Sequence, residues 1–100
     1  MILYNITVNI ENDVEEDWLG WMKNTHLPAI MSTNLFLNNK MYRIMNEEAQ
    51  GTSYSIQLFA QSMAKVEQFE SEFAMKLQMD AITRYGSKLV EFRTKLQSVN

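Results

Sequence analysis

Ile2-Leu3-Tyr4-Asn5-Ile6-Thr7-Val8-Asn9-Ile10 decides the fold. Ile2, Tyr4, Ile6, Val8 and Ile10 fall on one side of the chain; Leu3, Asn5, Thr7 and Asn9 fall on the other. Period-two alternation rich in β-branched residues predicts a strand with one face in the core and one face open. Everything that follows must cover the first face and account for the second.

Downstream, Glu11-Asn12-Asp13-Val14-Glu15-Glu16-Asp17 opens a helix, with Asn12 as N-cap and Glu15 as its capping-box partner. The acids of this turn suit the positive end of the helix dipole. Val14, Trp18, Trp21, Met22 and Thr25 form the inward stripe. Pro28 ends or bends the helix near His26-Leu27, because the residue before a proline is pushed out of the helical region. It can also start a second short turn through Met31. Residues 35–47 read as a second strand, with Tyr42 and Ile44 on one face and Met41, Arg43 and Met45 on the other. Glu47-Glu48-Ala49-Gln50-Gly51 reads as a turn, with Gly51 free to take positive φ. Residues 52–60 are a third strand: Tyr54, Ile56, Leu58 and Ala60 face inward, and Ser53, Ser55, Gln57 and Phe59 outward.

Ser62 caps a long second helix whose stripe is Met63, Val66, Phe69, Phe73, Leu77 and Ile82, with Gly86 as C-cap. Residues 88–97 alternate again, Val90, Phe92, Thr94 and Leu96 against Leu89, Glu91, Arg93 and Lys95. Either set can face the core. The order β-α-β-β-α-β predicts an α+β, ferredoxin-like domain over residues 1–100: a four-stranded antiparallel sheet with two helices on one face.

Composition narrows the function. The chain has 100 residues, 46% hydrophobic and 21% charged, which excludes wholesale disorder. No apolar run is long enough for a membrane helix. The N-terminus has no basic flank or small-residue cleavage site, so no signal peptide is expected. A net charge of −3 disfavours nucleic acid and anionic lipid as partners. There is no cysteine and one histidine, so neither a thiolate nor a multi-histidine metal site is expected. The acids at 11–17 lack calcium-loop spacing. No glycine-rich phosphate loop and no G-x-S-x-G elbow is present. No metal or cofactor is therefore expected.

Two helices cover only one face of the sheet. The other face is expected to present Leu3, Asn5, Thr7, Met41, Arg43, Met45, Gln57, Phe59 and one set from the last strand, roughly 400 Å² in projection. A patch of that size and apolarity asks for a cover. A second copy of the chain is the simplest one, giving a homodimer whose two sheets close a barrel around a central space.

Several stretches carry a resemblance: Met1 to Ile10, Trp18-Leu19-Gly20-Trp21-Met22-Lys23-Asn24-Thr25-His26-Leu27-Pro28, Tyr54-Ser55-Ile56-Gln57, Arg84-Tyr85-Gly86 and Phe92-Arg93-Thr94. Together they resemble a small bacterial family known as domain of unknown function 4286. The resemblance runs nearly end to end, and the paired tryptophans before His-x-Pro are its most specific part. It implies a ferredoxin-like fold and a bacterial cytoplasmic location, and no activity. More distantly, the element order and the Trp…His-x-Pro resemble the dimeric α/β-barrel superfamily, which includes antibiotic-biosynthesis-type monooxygenases, haem-degrading relatives and EthD-like proteins. In the EthD type three residues separate the aromatic from the histidine; here four separate Trp21 from His26. The haem-degrading type carries an axial histidine on the second helix; residues 62–85 contain none.

Five residues stand out for chemistry. His26 is the only side chain whose ordinary pKa lies near neutrality, so it is the candidate general base. Its structural alternative is a helix C-terminal cap. Arg43 and Arg93 sit mid-strand and, facing the barrel interior, would form a cationic spot for a carboxylate, phenolate or enolate. Their structural alternative is an ion pair with Glu91. Asn5 and Gln57 would add amide hydrogen bonds. Trp18 and Trp21 read as core. Two functions fit: a homodimer that binds a small molecule without catalysis, and a cofactor-independent monooxygenase- or isomerase-like enzyme acting on a small aromatic or enolisable substrate with His26 as base.

Overall fold

Strand β1 (Ile2–Ile10) lies in the middle of the sheet, where its two-faced pattern places it. In the computed structural model, which describes residues 1–45 and 50–100, it pairs antiparallel with β3 (Thr52–Ala60) on one side and β4 (Leu89–Gln97) on the other. Strand β2 (Asn38–Ile44) pairs antiparallel with β3 and forms the other edge, so the order is β2-β3-β1-β4. The helical layer packs on one face. The fold is the expected ferredoxin-like α+β arrangement.

The core lies between that face and the helices. Ile2, Tyr4, Ile6, Val8 and Ile10 of β1 and Tyr54, Ile56, Leu58 and Ala60 of β3 are buried there, as the alternation predicts. Trp18, Tyr4 and Phe69 are among the largest fully buried side chains. Burying a large apolar side chain contributes about 1.5–3 kcal/mol. Tyr4, Phe36 and Phe69 form an aromatic cluster with centroids 4.9–6.1 Å apart.

The first helical segment departs from expectation. It begins as a 3₁₀ turn at Asn12–Val14 and continues as α1 (Glu15–Trp21), a π turn (Met22–His26) and α2 (Leu27–Met31). Asn12 is not the N-cap: the Glu11 carbonyl accepts the Val14 N–H, and the Asn12 Oδ1 accepts the Thr52 hydroxyl instead. Pro28 does not end the helical segment; it stands in the first turn of α2, the expected short second turn through Met31. His26 and Leu27 keep helical dihedrals, and Leu27 donates across the π turn to the Met22 carbonyl. A π turn takes more residues per turn than an α turn. Positions four apart therefore stay in line, and the buried stripe runs Trp18, Met22, His26, Ile30. Thr25, expected inside, is exposed.

Three other details differ. The second helix breaks at Phe73 (φ −128°) into α3 (Met63–Glu72) and α4 (Ala74–Tyr85), without a glycine or proline to announce it. Its stripe shifts accordingly, with Ala81 and Tyr85 buried and Ile82 39% exposed. Strand β2 starts only at Asn38, and its pairing sets Met41 opposite Ile56 and Arg43 opposite Tyr54. That register puts Met41 and Arg43 on the helix side and Tyr42 and Ile44 on the open face, the reverse of the expected parity. A one-residue change of phase moves every side chain of a strand to the other face. The expected turn at 47–51 lies largely outside the described residues. Gly51 does take positive φ (+80°), and a Cβ there would meet the Ile10 carbonyl oxygen at 2.6 Å.

Candidate functional site

The π turn determines where the only histidine goes. It carries His26 into line with Trp18 and Met22, so that the imidazole, 9% exposed, turns toward the core. There it stacks on Trp21, with centroids 4.3 Å apart and planes 23° from parallel. Tyr85 packs edge-to-face with the same indole at 5.6 Å, and the Arg84 guanidinium lies 5.8 Å from the indole centroid.

His26 is a wall shared by two spaces. On its inner side is a cavity of about 20 Å³ between sheet and helices, mostly apolar, with Gln78, Glu91 and Arg93 as its other polar groups. That volume holds about one water molecule. On its outer side is an open groove of about 460 Å³ between the first helical segment and α4, lined by Trp21, Thr25, His26, Ala29, Asp80, Thr83 and Arg84. Burial pushes the His26 imidazole down to about 4; Asp80 acts against this shift and Arg93 with it.

The register of β4 resolves its phase. Arg93 lies opposite Ile6 and Glu91 opposite Val8, both on the helix side. Arg93 Nη2 donates to Glu91 Oε1 at 2.9 Å, with the two side chains 22% and 11% exposed. Arg93 therefore does not line the open face. Its Nε and the Tyr4 hydroxyl are buried without a hydrogen-bond partner. Burial raises the Tyr4 phenol above 10, with the Arg93 charge pulling the other way.

The five expected residues do not converge. His26 and Arg93 share the inner cavity. Arg43 sits at the exposed rim of the helix side. It donates from Nε to the Tyr54 hydroxyl at 3.4 Å and lies 3.9 Å from Glu15. Asn5 and Gln57 occupy the open face, opposite one another in register. There Ser55 donates to Asn5 Oδ1 (2.6 Å), Asn5 to Thr7 Oγ1 (2.9 Å), and Gln57 to Ser55 Oγ (3.3 Å). The cationic spot expected from Arg43 and Arg93 together does not form within the subunit, because β2 and β4 each turn their arginine toward the helices, at opposite edges of the sheet.

Sequence reasoning missed the groove's far wall. Asp80, Thr83 and Arg84 stand three and four apart, a helical spacing that places them on one face of α4. It missed Glu91 and Gln78 as cavity groups, whose strand and helix phases were not legible without the register. Among the described residues no cluster of three or more metal-ligating side chains occurs. Nor is any helix there long and apolar enough to cross a membrane.

Comparison with solved structures places the fold. The chain is similar to a dimeric ferredoxin-like protein from an uncultured marine organism (TM-score 0.77, 14% identity, covering 99% of this chain and 95% of that one). It is also similar to an EthD family protein from Bacillus halodurans (TM-score 0.70, 14% identity, 99% and 100%). A candidate antibiotic biosynthesis monooxygenase from Deinococcus radiodurans is similar as well (TM-score 0.67, 9% identity, 100% and 94%). At such identities the likeness is one of fold. No curated protein matches the sequence. The family model described as Domain of unknown function (DUF4286) matches residues 1–99, and the chain belongs to that family.

Proposed function

We propose that the protein is a homodimeric small-molecule-binding protein of the bacterial cytoplasm, its two sheets packed face to face and its ligand held in the groove beside His26. The location follows the family resemblance. The observation that carries the binding site is the shared wall: one buried imidazole, stacked on Trp21, separates a mostly apolar cavity from an open groove. The groove offers an aromatic floor, the hydroxyls of Thr25 and Thr83, and one charge of each sign at Asp80 and Arg84. An aromatic surface with convergent polar groups that fix orientation is a composition that suits a small-molecule site. The dimer is supported by the exposed apolar side chains of the open face, among them Phe92 (60%) and Val90 (63%), and by the description of similar structures as dimeric.

Binding ranks ahead of catalysis because of the state of His26. An efficient general base has a pKa near the working pH. A histidine held near 4 is neutral at pH 7 and a weak base. It can offer one donor and one acceptor to a ligand. The enzyme reading, a cofactor-independent monooxygenase- or isomerase-like reaction on a small aromatic or enolisable substrate, would need a ligand that raises that value on binding.

Native mass spectrometry of freshly purified wild type and His26→Gln tests the proposal. The expected result is a dimer that carries a discrete excess mass in the wild type and loses it in the variant. A monomer at micromolar concentration overturns the dimer. An excess mass unchanged in the variant overturns the groove as the site.

A further inference from the structure

The open face has a profile of its own. Along its two central strands lie Asn5, Thr7 and Asn9 of β1 and Ser53, Ser55 and Gln57 of β3. They form a column in two hydrogen-bonded groups: Asn5, Thr7, Ser55 and Gln57 are linked, and Asn9 donates separately to Ser53 Oγ at 3.1 Å. None of them is charged. The edge strands are different. Strand β4 raises Val90, Phe92 and Leu96 from this face, and β2 raises Tyr42 and Ile44; all are exposed. From Asn5 to Asn9 the face is therefore a trough: small neutral polar groups along its floor, closed at one end by the paired Leu3 and Phe59, and rims that are mainly bulky and apolar, interrupted by Thr94 on β4 and by Asn38 and Lys40 on β2.

We propose that the dimer encloses a chamber over this trough that takes a small uncharged molecule rich in hydroxyl or amide groups, with water as its occupant otherwise. The inference rests on the sheet-to-sheet dimer proposed above. Packed sheets stand about 10 Å apart, a gap that large side chains fill and serines and threonines do not. The rims hold the sheets at that separation and seal the edges. The floor is left facing its twofold copy across a space. A space lined by amides and hydroxyls does not stay dry, because a desolvated polar group without a partner is destabilising and water supplies one. The internal bonds of the column leave donors and acceptors over: an amide makes up to four hydrogen bonds, and Asn5 makes two here. Among the described residues Lys40 is the one basic group on the strands of this face; it lies opposite Gln57 on edge strand β2, with its ammonium 6.0 Å from the Phe59 ring centroid. The column itself thus has nothing to neutralise an ionic ligand.

Two measurements on the intact protein test the chamber. Sedimentation equilibrium compares wild type with Ser55→Leu, which fills the floor, and Phe92→Ser, which breaches the rim. The expected result is a dimer constant within about threefold of wild type for Ser55→Leu and weakened more than about tenfold for Phe92→Ser. Equal loss of dimer in both variants shows a closely packed centre and overturns the chamber. NMR of the Asn5 and Gln57 side-chain amides then reads the contents. Contacts to long-lived water that disappear in Ser55→Leu, and shifts on adding glycerol but not benzoate, support it. A wild-type dimer whose amides see neither water nor glycerol, or respond to benzoate instead, overturns the chamber and leaves the dimer standing. A wild-type monomer overturns the dimer itself.

Discussion

Trp21 and His26 are five positions apart in sequence, yet their rings stack at 4.3 Å. Five residues of regular α-helix turn through about 500°, which sets two side chains on different sides. The π turn at Met22–His26 removes that offset. Single π turns inside helices are frequent at functional sites, where they re-aim one side chain. Here the re-aimed side chain is the only histidine of the chain, and its removal from water has a measurable consequence.

That consequence is a pH dependence of stability. Folded His26 titrates near 4, while in the unfolded chain it titrates near its ordinary 6.5. The folded pKa is depressed, so the stabilising difference is complete above 6.5. Below 6.5 the unfolded state takes up a proton that the folded state refuses, and stability falls until the pH passes below about 4. Between pH 7.5 and 4.5 the loss is about 2–3 kcal/mol. Urea unfolding of wild type and His26→Gln at the two pH values, at one protein concentration, isolates it. The wild type should lose that much more than the variant. Equal losses show that the imidazole is solvated in the folded protein.

Two like clusters fix the first helical segment. Tyr85 Oη donates to Asp17 Oδ2 at 2.8 Å while accepting from Arg84 Nε at 3.0 Å. Tyr54 Oη donates to Glu15 while accepting from Arg43 Nε. Burial and the neighbouring carboxylate hold both phenols above 10, so both remain donors. Tyr85→Phe and Asp17→Ala should each destabilise by about 1 kcal/mol. The double variant should lose less than the sum, because both remove one hydrogen bond. Additive losses measured by denaturation would show that the two groups act separately.

The sequence made the architecture legible through β1 and β3, since central strands need a strict two-faced pattern. It misled at β2. Tyr42 and Ile44 look like core residues, and Arg43 looks like an outward one. On an edge strand the helix-side position at the rim is wet, so an arginine is tolerated there and hydrophobicity no longer reports the face. Phase at β4 was undetermined for a related reason: its apolar set Val90, Phe92, Leu96 faces outward, toward the proposed partner, and its ionic pair faces inward. Periodicity assumes a constant number of residues per turn, and so it missed the burial of His26, which follows from a change in that number.

Gly51 should not tolerate a side chain. Its φ of +80° is open to glycine, and a Cβ there would stand 2.6 Å from the Ile10 carbonyl oxygen, a backbone atom at the end of a central strand. Neither strand end can retreat without breaking the pairing of Ile10 with Thr52. Gly51→Ala should cost about 1–3 kcal/mol. Thermal unfolding reads the effect; an unchanged midpoint would show that the turn rearranges freely.

The pair Arg93–Glu91 supplies the sharpest contrast between single and double substitutions. Both groups are mostly withdrawn from water, face an apolar cavity, and form a 2.9 Å charge-assisted bond. Glu91→Gln leaves the guanidinium, whose own Nε already lacks a partner, beside that cavity without its counter-charge. The expected cost is about 2–3 kcal/mol, below the 3–5 kcal/mol of a fully buried pair because Arg93 is partly exposed. Replacing both, as Arg93→Met with Glu91→Leu, removes the charges together and should recover most of that loss. Urea unfolding of the two variants decides the matter. If the double variant is as unstable as Glu91→Gln, the pair stabilises the fold by more than its own neutralisation. If it is as stable as wild type, the pair contributes neutralisation and no net stability to the fold.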